Sequence, residues 1–224
     1  GREVNWKFTP VRELASLLDG DLHGGEYASQ ITEAEGMAVT WIPMDSDLVG
    51  RSGIPEDRAA ANAWGQARVA QHIKLTSENH QTLTVKRDAF TTDATAAHTV
   101  IETAPHASAL VIIENTGQAH LSETLEIVAG EGSNLTVVSI QEWDDEAIHV
   151  ASHTATVGRD ANLQHIVVSL GGKTVRVNPA IHLDAQGANG ESYGAYFADA
   201  GQHLEHQVWI DHNAPNTRSR VAYK

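Results

Sequence analysis

The sequence contains no cysteine among its 224 residues. Disulfide bridges, thiolate zinc sites and cysteine nucleophiles are therefore excluded within these residues. Long apolar runs are also missing: none approaches the roughly 18 residues that a membrane-spanning helix needs. No signal peptide opens the chain. Together these absences favour a cytoplasmic protein with no membrane partner.

Basic residues are scarce. The 15 lysines and arginines face 29 aspartates and glutamates, which gives a formal net charge of −14. The densest basic spots are Lys86-Arg87 and the pair Arg218 and Arg220. Because an acidic surface repels phosphate backbones, nucleic acid is not an expected partner.

Helical signals are few and lie in the first third of the chain. Val11–Leu18 has leucines on one face, and Thr9 before it is a candidate N-cap, so a short amphipathic helix is predicted. Arg58–Gln71 is rich in alanine and predicts a second helix. Trp64 in that helix is expected to face the core or a partner, and a helix docked on the protein surface is the favoured interpretation. Between the two helices, Met37–Pro43 is expected to be a strand.

From about Thr82 onward the pattern is that of short β-strands separated by glycine, proline, asparagine or aspartate. The predicted strands are Leu83–Val85, Ala97–Glu102, Leu110–Glu114, Leu121–Val128, Leu135–Ile140, Ala147–Thr156, Leu163–Leu170, Thr174–Leu183 and Ser192–Ala198.

A glycine followed two residues later by asparagine or aspartate recurs between these strands. The three instances are Gly132-Ser133-Asn134, Gly158-Arg159-Asp160 and Gly187-Ala188-Asn189, at offsets of 26 and 29 residues. Such spacing favours a β-solenoid with two strands and two turns per coil over a β-sandwich. We therefore predict a mainly β fold with an α/β segment over residues 1–80 and a solenoid core over residues 81–224.

The run Gly171-Gly172-Lys173-Thr174 ends like a phosphate-binding loop, but it fails two requirements of that motif. Valine stands at position 167, where the loop needs glycine, and the residues after Thr174 are strand-like rather than helical. We interpret the run as a turn between two strands.

Histidine is abundant, with 13 in the chain. His149 and His153 are expected on one face of a strand, roughly 13 Å apart and too far to share a metal ion. His203 and His206 are expected on opposite faces of another strand, although ligands from adjacent coils remain an alternative for the stretch that ends at His212. The favoured interpretation is that the histidines line a solenoid face as partly buried polar groups, so no metal ligand is assigned.

Acidic residues provide the one candidate set for catalysis. Asp144, within the acidic run Glu142–Glu146, and Asp184 would serve a β-solenoid polysaccharide lyase or hydrolase if they met on one exposed face. No nucleophile and base can be paired from the sequence order. We therefore predict a protein that is not an enzyme, with no catalytic, cofactor-binding or metal-binding residue in this chain.

Several stretches resemble a known family. The chain opens Gly1-Arg2-Glu3 and continues Trp6-Lys7-Phe8-Thr9-Pro10, and His206–Ser219 follows the pattern His-x5-His-x2-Pro-x3-Ser. With Leu110–Glu114 and the glycine turns, these stretches resemble the SufB/SufD family of the SUF iron–sulfur cluster assembly system. The N-terminal pattern is similar to the SufD members, and a SufB-type subunit is the alternative.

The resemblance implies a right-handed parallel β-helix that acts as a non-catalytic scaffold. It implies a SufB-like subunit and a SufC-like ATPase as partners, with the iron–sulfur cluster held in the assembled complex rather than by this segment. It also implies that further coils and a helical region follow Lys224. A solenoid cut at that point would expose its final coil, so a homodimer of the isolated segment is expected.

Overall fold

The computed structural model describes residues 6–224. In this part of the chain there are two helices, α1 (Ala15–Asp19) and α2 (Arg58–Gln66). The strands are β1 (Gln30–Ile31), β2 (Met37–Pro43), β3 (Val69–Leu75), β4 (Gln81–Arg87), β5 (Ala94–Thr103), β6 (Ser108–Gly117), β7 (His120–Ala129), β8 (Asn134–Trp143), β9 (Ile148–Val157), β10 (Asn162–Ser169), β11 (Thr174–Leu183), β12 (Asn189–Tyr196), β13 (His203–His206), β14 (Trp209–His212) and β15 (Arg218–Tyr223).

The strands form two sheets, and the chain alternates between them. Sheet I is 8-stranded, in the order β13-β11-β9-β7-β5-β3-β2, with β14 also paired to β11. Sheet II is 7-stranded, in the order β1-β4-β6-β8-β10-β12-β15. Apart from the antiparallel pairs of β1 with β4 and β2 with β3, neighbouring strands are parallel. This is a β-solenoid of about 5 turns, as predicted; its right-handed sense stays a prediction.

The parallel pairing of the solenoid begins before residue 81, because β3 runs parallel to β5 with Gln71 opposite Thr99. The strand β2 then closes that edge of sheet I by pairing antiparallel with β3. The division of the chain into residues 1–80 and 81–224 stays a prediction, and the first of these stretches contributes both covering helices and sheet edges.

A left-handed residue lies two positions before five of the sheet II strands, β6, β8, β10, β12 and β15. These residues are His106, Gly132, Asp160, Gly187 and Asn216, with φ between 53° and 76°. A positive φ favours glycine, asparagine and aspartate, which explains the residue types at most of these positions.

The predicted repeat is therefore real, but its second instance is out of phase. The strand register aligns Asn134 with Asn162 and Asn162 with Asn189, so the residue equivalent to Gly132 is Asp160 rather than Gly158. Gly158 is needed for another reason: a Cβ atom there would lie 2.8 Å from the carbonyl oxygen of Ala129 in the preceding coil.

The first helix is shorter than predicted. It begins at Ala15 instead of Val11, and its N-cap residue, Leu14, makes no side-chain capping bond. Thr9 does not act as the cap, because its hydroxyl donates to Glu205 Oε2 at 2.7 Å, on strand β13. The hydroxyl that the sequence offers for capping is therefore engaged in a tertiary contact instead.

The second helix begins where predicted and ends earlier. Asp57 is the N-cap and accepts a hydrogen bond from the Ala60 amide at 3.0 Å. The helix stops at Gln66, because the chain enters sheet I at Val69. Trp64 lies against the ring of His98 on sheet I, with centroids 4.8 Å apart, so the helix is docked on the surface as predicted.

The two helices cover the outer face of sheet I. Leu14 and Leu17 of the N-terminal segment pack with Ala63 of α2 against Ala96 and Val150 of the sheet. The central strands of sheet I are consequently buried on both faces: β5, β7 and β9 are buried at nearly every position. Sheet II alternates between buried and partly exposed residues, as expected for one covered face.

Other sequence predictions of the solenoid are confirmed. The bounds of β2 and β11 are those predicted, and each of the other predicted strands from Leu83 onward overlaps an observed one. The Gly171–Lys173 run is a turn between β10 and β11, and Gly172 has a φ of +97°.

Candidate functional site: the buried polar network

A charged pair lies inside the solenoid, between the two sheets. Arg87, at the end of β4, donates to Glu123 Oε1 on β7 at 2.5 Å, and both side chains are almost fully buried. The second guanidinium nitrogen donates to Thr99 Oγ1 at 2.8 Å, and Tyr27 Oη lies 2.6 Å from the same hydroxyl. The guanidinium carbon is also 5.2 Å from the centre of the Tyr27 ring.

The partners of Glu123 decide its protonation state. Burial alone would raise the pKa of Glu123, but the Arg87 guanidinium and a hydrogen bond from His149 hold that pKa far below its ordinary value. For Arg87, burial acts to lower the pKa, and the Glu123 carboxylate more than compensates and raises it. Both groups are therefore charged, which is how a buried ion pair is maintained.

His149 extends this pair along β9. Trp143 Nε1 donates to His149 Nδ1 at 3.2 Å, which leaves the Nε2 hydrogen to donate to Glu123 Oε2, also at 3.2 Å. This arrangement defines a neutral tautomer of the ring. Trp143 thereby orients His149, and His149 completes the hydrogen bonding of the carboxylate.

Three further histidines continue the polar interior toward the last coils. His153 Nδ1 lies 3.0 Å from His165 Nε2, and His206 Nε2 lies 2.9 Å from Ser169 Oγ. Burial lowers the pKa of His153 well below its ordinary value and lowers the pKa of His165 and of His206 to about 4. These rings are neutral at physiological pH.

A second set of charges lies on the outer face of sheet I and fastens the loop before α2. Glu126 on β7 accepts hydrogen bonds from the Gly50 amide at 2.8 Å and from Ser52 Oγ at 3.1 Å. His98 Nε2 lies 2.8 Å from the same carboxylate. Although burial acts to raise the pKa of Glu126, these hydrogen bonds, led by that from His98, hold it below its ordinary value.

Glu102, on the neighbouring strand β5, fastens the same loop. Its carboxylate contacts Arg51 of the loop and His72 Nε2, the latter at 3.0 Å. Lys74 Nζ is 3.7 Å from it. Loop and sheet are thus joined by two carboxylates that project from adjacent strands.

Arg176 ties the start of the described chain to the last coil. Its guanidinium lies 4.0 Å from the ring centre of Trp6 and within 3.5 Å of Glu205 and 3.8 Å of Asp57. Beside it a groove of about 540 Å³ runs along the outer face of sheet I, with Trp209 in its wall.

The two aspartates of the hydrolase alternative are not brought together. Asp144 lies in the turn after β8, at the end of a sheet II strand, and accepts a hydrogen bond from Gln118. Asp184 follows β11, at the end of a sheet I strand, and accepts from Thr156 and Asn213. The two acids therefore occupy different corners of the coil, and the geometry gives no support to that alternative.

The histidines singled out in the sequence are placed mostly as predicted. His149 and His153 share the interior face of β9 and contact different partners. His203 contacts Glu205 near the N-terminal segment, whereas His206 contacts Ser169 in the interior, so they occupy opposite faces of β13. The expectation of partial burial is wrong for both His149 and His153, which are buried between the sheets.

The His-x5-His-x2-Pro-x3-Ser pattern has a structural role in its second half. His212 Nδ1 lies 2.7 Å from Thr217 Oγ1, and His212 Nε2 lies 2.9 Å from Ser219 Oγ. The ring therefore bridges the turn from β14 to β15. The first tripeptide of the N-terminal pattern, Gly1-Arg2-Glu3, lies outside the described residues.

Sequence reasoning missed Arg87 and Glu123, the central residues of the network. In the sequence Arg87 stands beside Lys86 as one of the densest basic spots, but of the two only Lys86 is partly exposed. The available signal was the strand Leu121–Val128, in which Glu123 interrupts apolar residues that otherwise predict a buried strand. A carboxylate there requires a buried cation, and Arg87 terminates a strand of similar pattern.

Within residues 6–224, no group of three or more histidine, aspartate or glutamate side chains is arranged to hold a metal ion. The helices in this same range are too short and too polar to cross a lipid bilayer.

Comparison with known proteins identifies the family of this solenoid. The family model described as "SUF system FeS cluster assembly, SufBD core domain" matches residues 83–224, which is more than half of the chain. The chain belongs to the SufBD family. The matched region begins within β4 and includes Arg87 and Glu123, so the interior network lies mainly in the SufBD core.

Curated relatives agree with this membership. The iron-sulfur cluster assembly SufBD family protein of Mycobacterium leprae is 34% identical over 229 residues, which covers 100% of this chain and 58% of the relative. A SufBD family protein of Mycobacterium tuberculosis is 32% identical over 231 residues, covering 100% of this chain and 57% of the relative. The chain thus spans less than two thirds of the length of these SufBD relatives.

The iron-sulfur cluster assembly protein SufB of Bacillus subtilis is 27% identical over 112 residues, covering 50% of this chain and 24% of that protein. No solved structure matches the chain significantly. SufBD membership connects the chain to iron–sulfur cluster assembly and confirms the family that the sequence patterns indicated.

Proposed function

We propose that this chain is part of a non-catalytic scaffold subunit for iron–sulfur cluster assembly, acting in the cytoplasm with a SufB-like subunit and a SufC-like ATPase. The observation that carries the proposal is the SufBD core match over residues 83–224, a range that contains most of the parallel solenoid. The cluster is cargo of the assembled complex in this proposal. The N-terminal pattern supports a SufD-like subunit rather than a SufB-like one.

The interior of the solenoid suits a scaffold because its charges are neutralised inside the fold. The carboxylate of Glu123 is held by Arg87 and His149, so it is engaged in holding the two sheets together. A rod of paired parallel strands with internal ion pairs presents a rigid surface to partner subunits.

Anaerobic co-purification tests the proposal. The protein that contains this chain is tagged, expressed with SufB-like and SufC-like homologues, and isolated without oxygen. We expect both homologues in fixed stoichiometry, and iron and sulfide in the complex at levels well above those of the tagged protein alone. Purification without either homologue would contradict the proposal. The matched control is an unrelated tagged protein of similar acidity.

A further inference from the structure

The groove on the outer face of sheet I, called here the outer groove, lies beyond the area that the two helices cover. It is lined by residues 54–57 before α2 and by side chains of β9, β11 and β14, and it encloses about 540 Å³. Its lining on β11 extends from Arg176 to His182, which gives a length of about 20 Å at roughly 3.3 Å per residue. A cleft of this volume has the size of a site for a small organic ligand.

Two hydroxyl groups on the floor of the outer groove are left without a protein partner. Ser152 and Thr154 of β9 line the groove, and they are only 8% and 5% exposed. Among residues 6–224, neither hydroxyl makes a hydrogen bond to the protein. Because nearly buried polar groups are usually hydrogen-bonded, this floor suits a ligand that bonds to it.

The middle of the outer groove is apolar. Strand register places Trp209 of β14 beside Ala180 of β11, halfway along the floor. The Trp209 side chain is 45% exposed, and Ile54, in the wall formed by the loop, is 75% exposed. The exposed indole therefore offers a flat surface to the hydrocarbon part of a ligand.

Carboxylates lie at both ends of this apolar middle. Asp211 Oδ2 is 3.1 Å from His182 Nδ1 at one end of the β11 lining. Asp57 Oδ2 is 3.8 Å from the guanidinium of Arg176 at the other end. A ligand that spans the groove therefore meets an acid at each end and apolar groups between them.

Acid exceeds base in the outer groove. The charge of Arg176 is already matched, since Asp57 lies within 3.8 Å and Glu205 within 3.5 Å of its guanidinium. Glu56 and Asp211 add two further carboxylates to the lining, and the chain as a whole carries −14. A cleft lined by charges of one sign attracts ligands of the opposite charge. The groove therefore favours a cation and disfavours a phosphate.

We propose that the outer groove binds an aliphatic polyamine, a flexible chain of methylene groups that carries ammonium groups at its ends and within it. The end groups pair with Asp57 and Asp211, and the methylene groups pack on Trp209. An inner ammonium group donates to the Thr154 hydroxyl and gains a cation–π contact with the indole. The inference goes beyond the scaffold function and does not depend on it.

Isothermal titration calorimetry with spermidine tests the proposal on the protein that contains this chain, at low ionic strength. We expect saturable binding with one spermidine per chain. Triacetylspermidine, which keeps the carbon chain and removes the positive charges, is expected not to bind. Absence of saturable binding by spermidine, or equal binding by the acetylated compound, would overturn the proposal.

Asp211→Asn separates a site from general attraction to an acidic protein. Because a hydrogen bond to a charged group is lost, the variant is expected to bind spermidine at least about 10-fold more weakly. Asp145→Asn is the matched control: it removes the same charge from an exposed residue in the turn between β8 and β9. Its affinity should stay within about twofold of the unchanged protein. Equal losses in both variants would show that binding follows net charge alone, and the proposal would fail.

Thr154→Val tests the floor of the groove without changing any charge. The substitution keeps the shape of the side chain and removes the hydroxyl, so spermidine affinity is expected to fall about 3-fold or more. Thr136→Val, on a partly exposed position of sheet II, is the control and should have no effect. Thr154 and Asp211 lie on opposite sides of β11, so a ligand sensitive to both lies between them. Unchanged affinity in Thr154→Val would place spermidine outside the groove and overturn the proposal.

Discussion

Arg87 and Glu123 are charged residues enclosed between two sheets, and their relative exposure is 0% and 2%. Each would be costly to bury alone, and together with Thr99, Tyr27 and His149 they satisfy one another's charges and most of their hydrogen bonds. Removing one partner leaves the other charge unpaired in a medium of low polarity, and this penalty exceeds the value of the pair itself.

We therefore expect Glu123→Gln to lower the free energy of unfolding by about 3–5 kcal/mol, because the substitution keeps the shape and leaves the Arg87 charge uncompensated. Urea denaturation followed by circular dichroism measures the change. Glu146→Gln is the matched control: its salt bridge to Lys173 spans 3.7 Å and its side chain is 79% exposed. The control is expected to change stability by less than about 1 kcal/mol, and equal losses in the two variants would refute the role of burial.

The buried histidines predict a loss of stability in mild acid. His165 has an ordinary pKa of 6.5 that burial lowers to about 4. Below about pH 6.5 the unfolded chain takes up a proton that the folded chain does not, so the stabilisation is complete above that pH and is lost progressively toward pH 4.

His206 behaves in the same way, with a pKa of about 4. Unfolding free energies measured from neutral pH down to about pH 4.5 should therefore fall steadily. His165→Gln, which removes one of the titrating groups, is expected to make the decline shallower. An unchanged slope in that variant would show that His165 is not one of the groups responsible. The Glu123 carboxylate, with its lowered pKa, adds its own loss only in stronger acid.

Among the elements, the turns before β6, β8, β10, β12 and β15 each depend on a left-handed residue. Gly187 has a φ of +76°, and a Cβ atom there would lie 2.0 Å from Asp160 Oδ1 of the preceding coil. Gly65, by contrast, lies inside α2 and a Cβ atom there would meet nothing within 4 Å.

Opposite effects of the same substitution are therefore expected at these two glycines. Gly187→Ala should destabilise the protein by at least about 1–2 kcal/mol, because it adds a left-handed alanine and a collision. Gly65→Ala should stabilise it by about 0.5–1 kcal/mol, because alanine restricts the unfolded chain and favours the helix. Thermal unfolding of both variants gives the comparison, and destabilisation by Gly65→Ala would contradict the helical assignment.

The elements also show where local signals succeed. Strands of the solenoid are bounded by residues with strong turn preferences, so positions such as Thr174–Leu183 follow from the sequence. The predicted start of the first helix is wrong because the Thr9 hydroxyl, the candidate cap, donates a hydrogen bond to Glu205, which is distant in sequence. Capping rules consider only neighbouring residues, so they do not include a hydrogen-bond acceptor that tertiary folding brings to Thr9.

At the scale of the whole molecule, the N-terminal segment is held on sheet I by carboxylates of the solenoid. Glu126 receives hydrogen bonds from Gly50 and Ser52, and Glu102 contacts Arg51. The loop therefore depends on contacts that the strands make, while the strands pair among themselves.

Glu126→Ala is expected to release this loop without unfolding the sheets. Limited proteolysis should cut the variant between β2 and α2 several times faster than the unchanged protein, while amide hydrogens of β7 and β9 stay protected. Glu56→Ala, at an exposed residue next to the N-cap, is the matched control and should leave the cleavage rate unchanged. Loss of strand protection in Glu126→Ala would show that segment and solenoid unfold together.

Residue patterns were enough to predict the repeating β architecture, because alternation within strands and the conformational preference of glycine and asparagine at turns are local properties. The sequence also carried the SufBD pattern of residues. Which polar side chains enter the interior depends instead on how distant strands pair. Lys86 and Arg87 are neighbours, yet Arg87 alone meets Glu123, because strand pairing brings together residues that are 36 positions apart. The outer face of sheet I is buried and that of sheet II is partly exposed because the N-terminal helices pack on sheet I. The local sequence pattern does not predict on which sheet the helices pack.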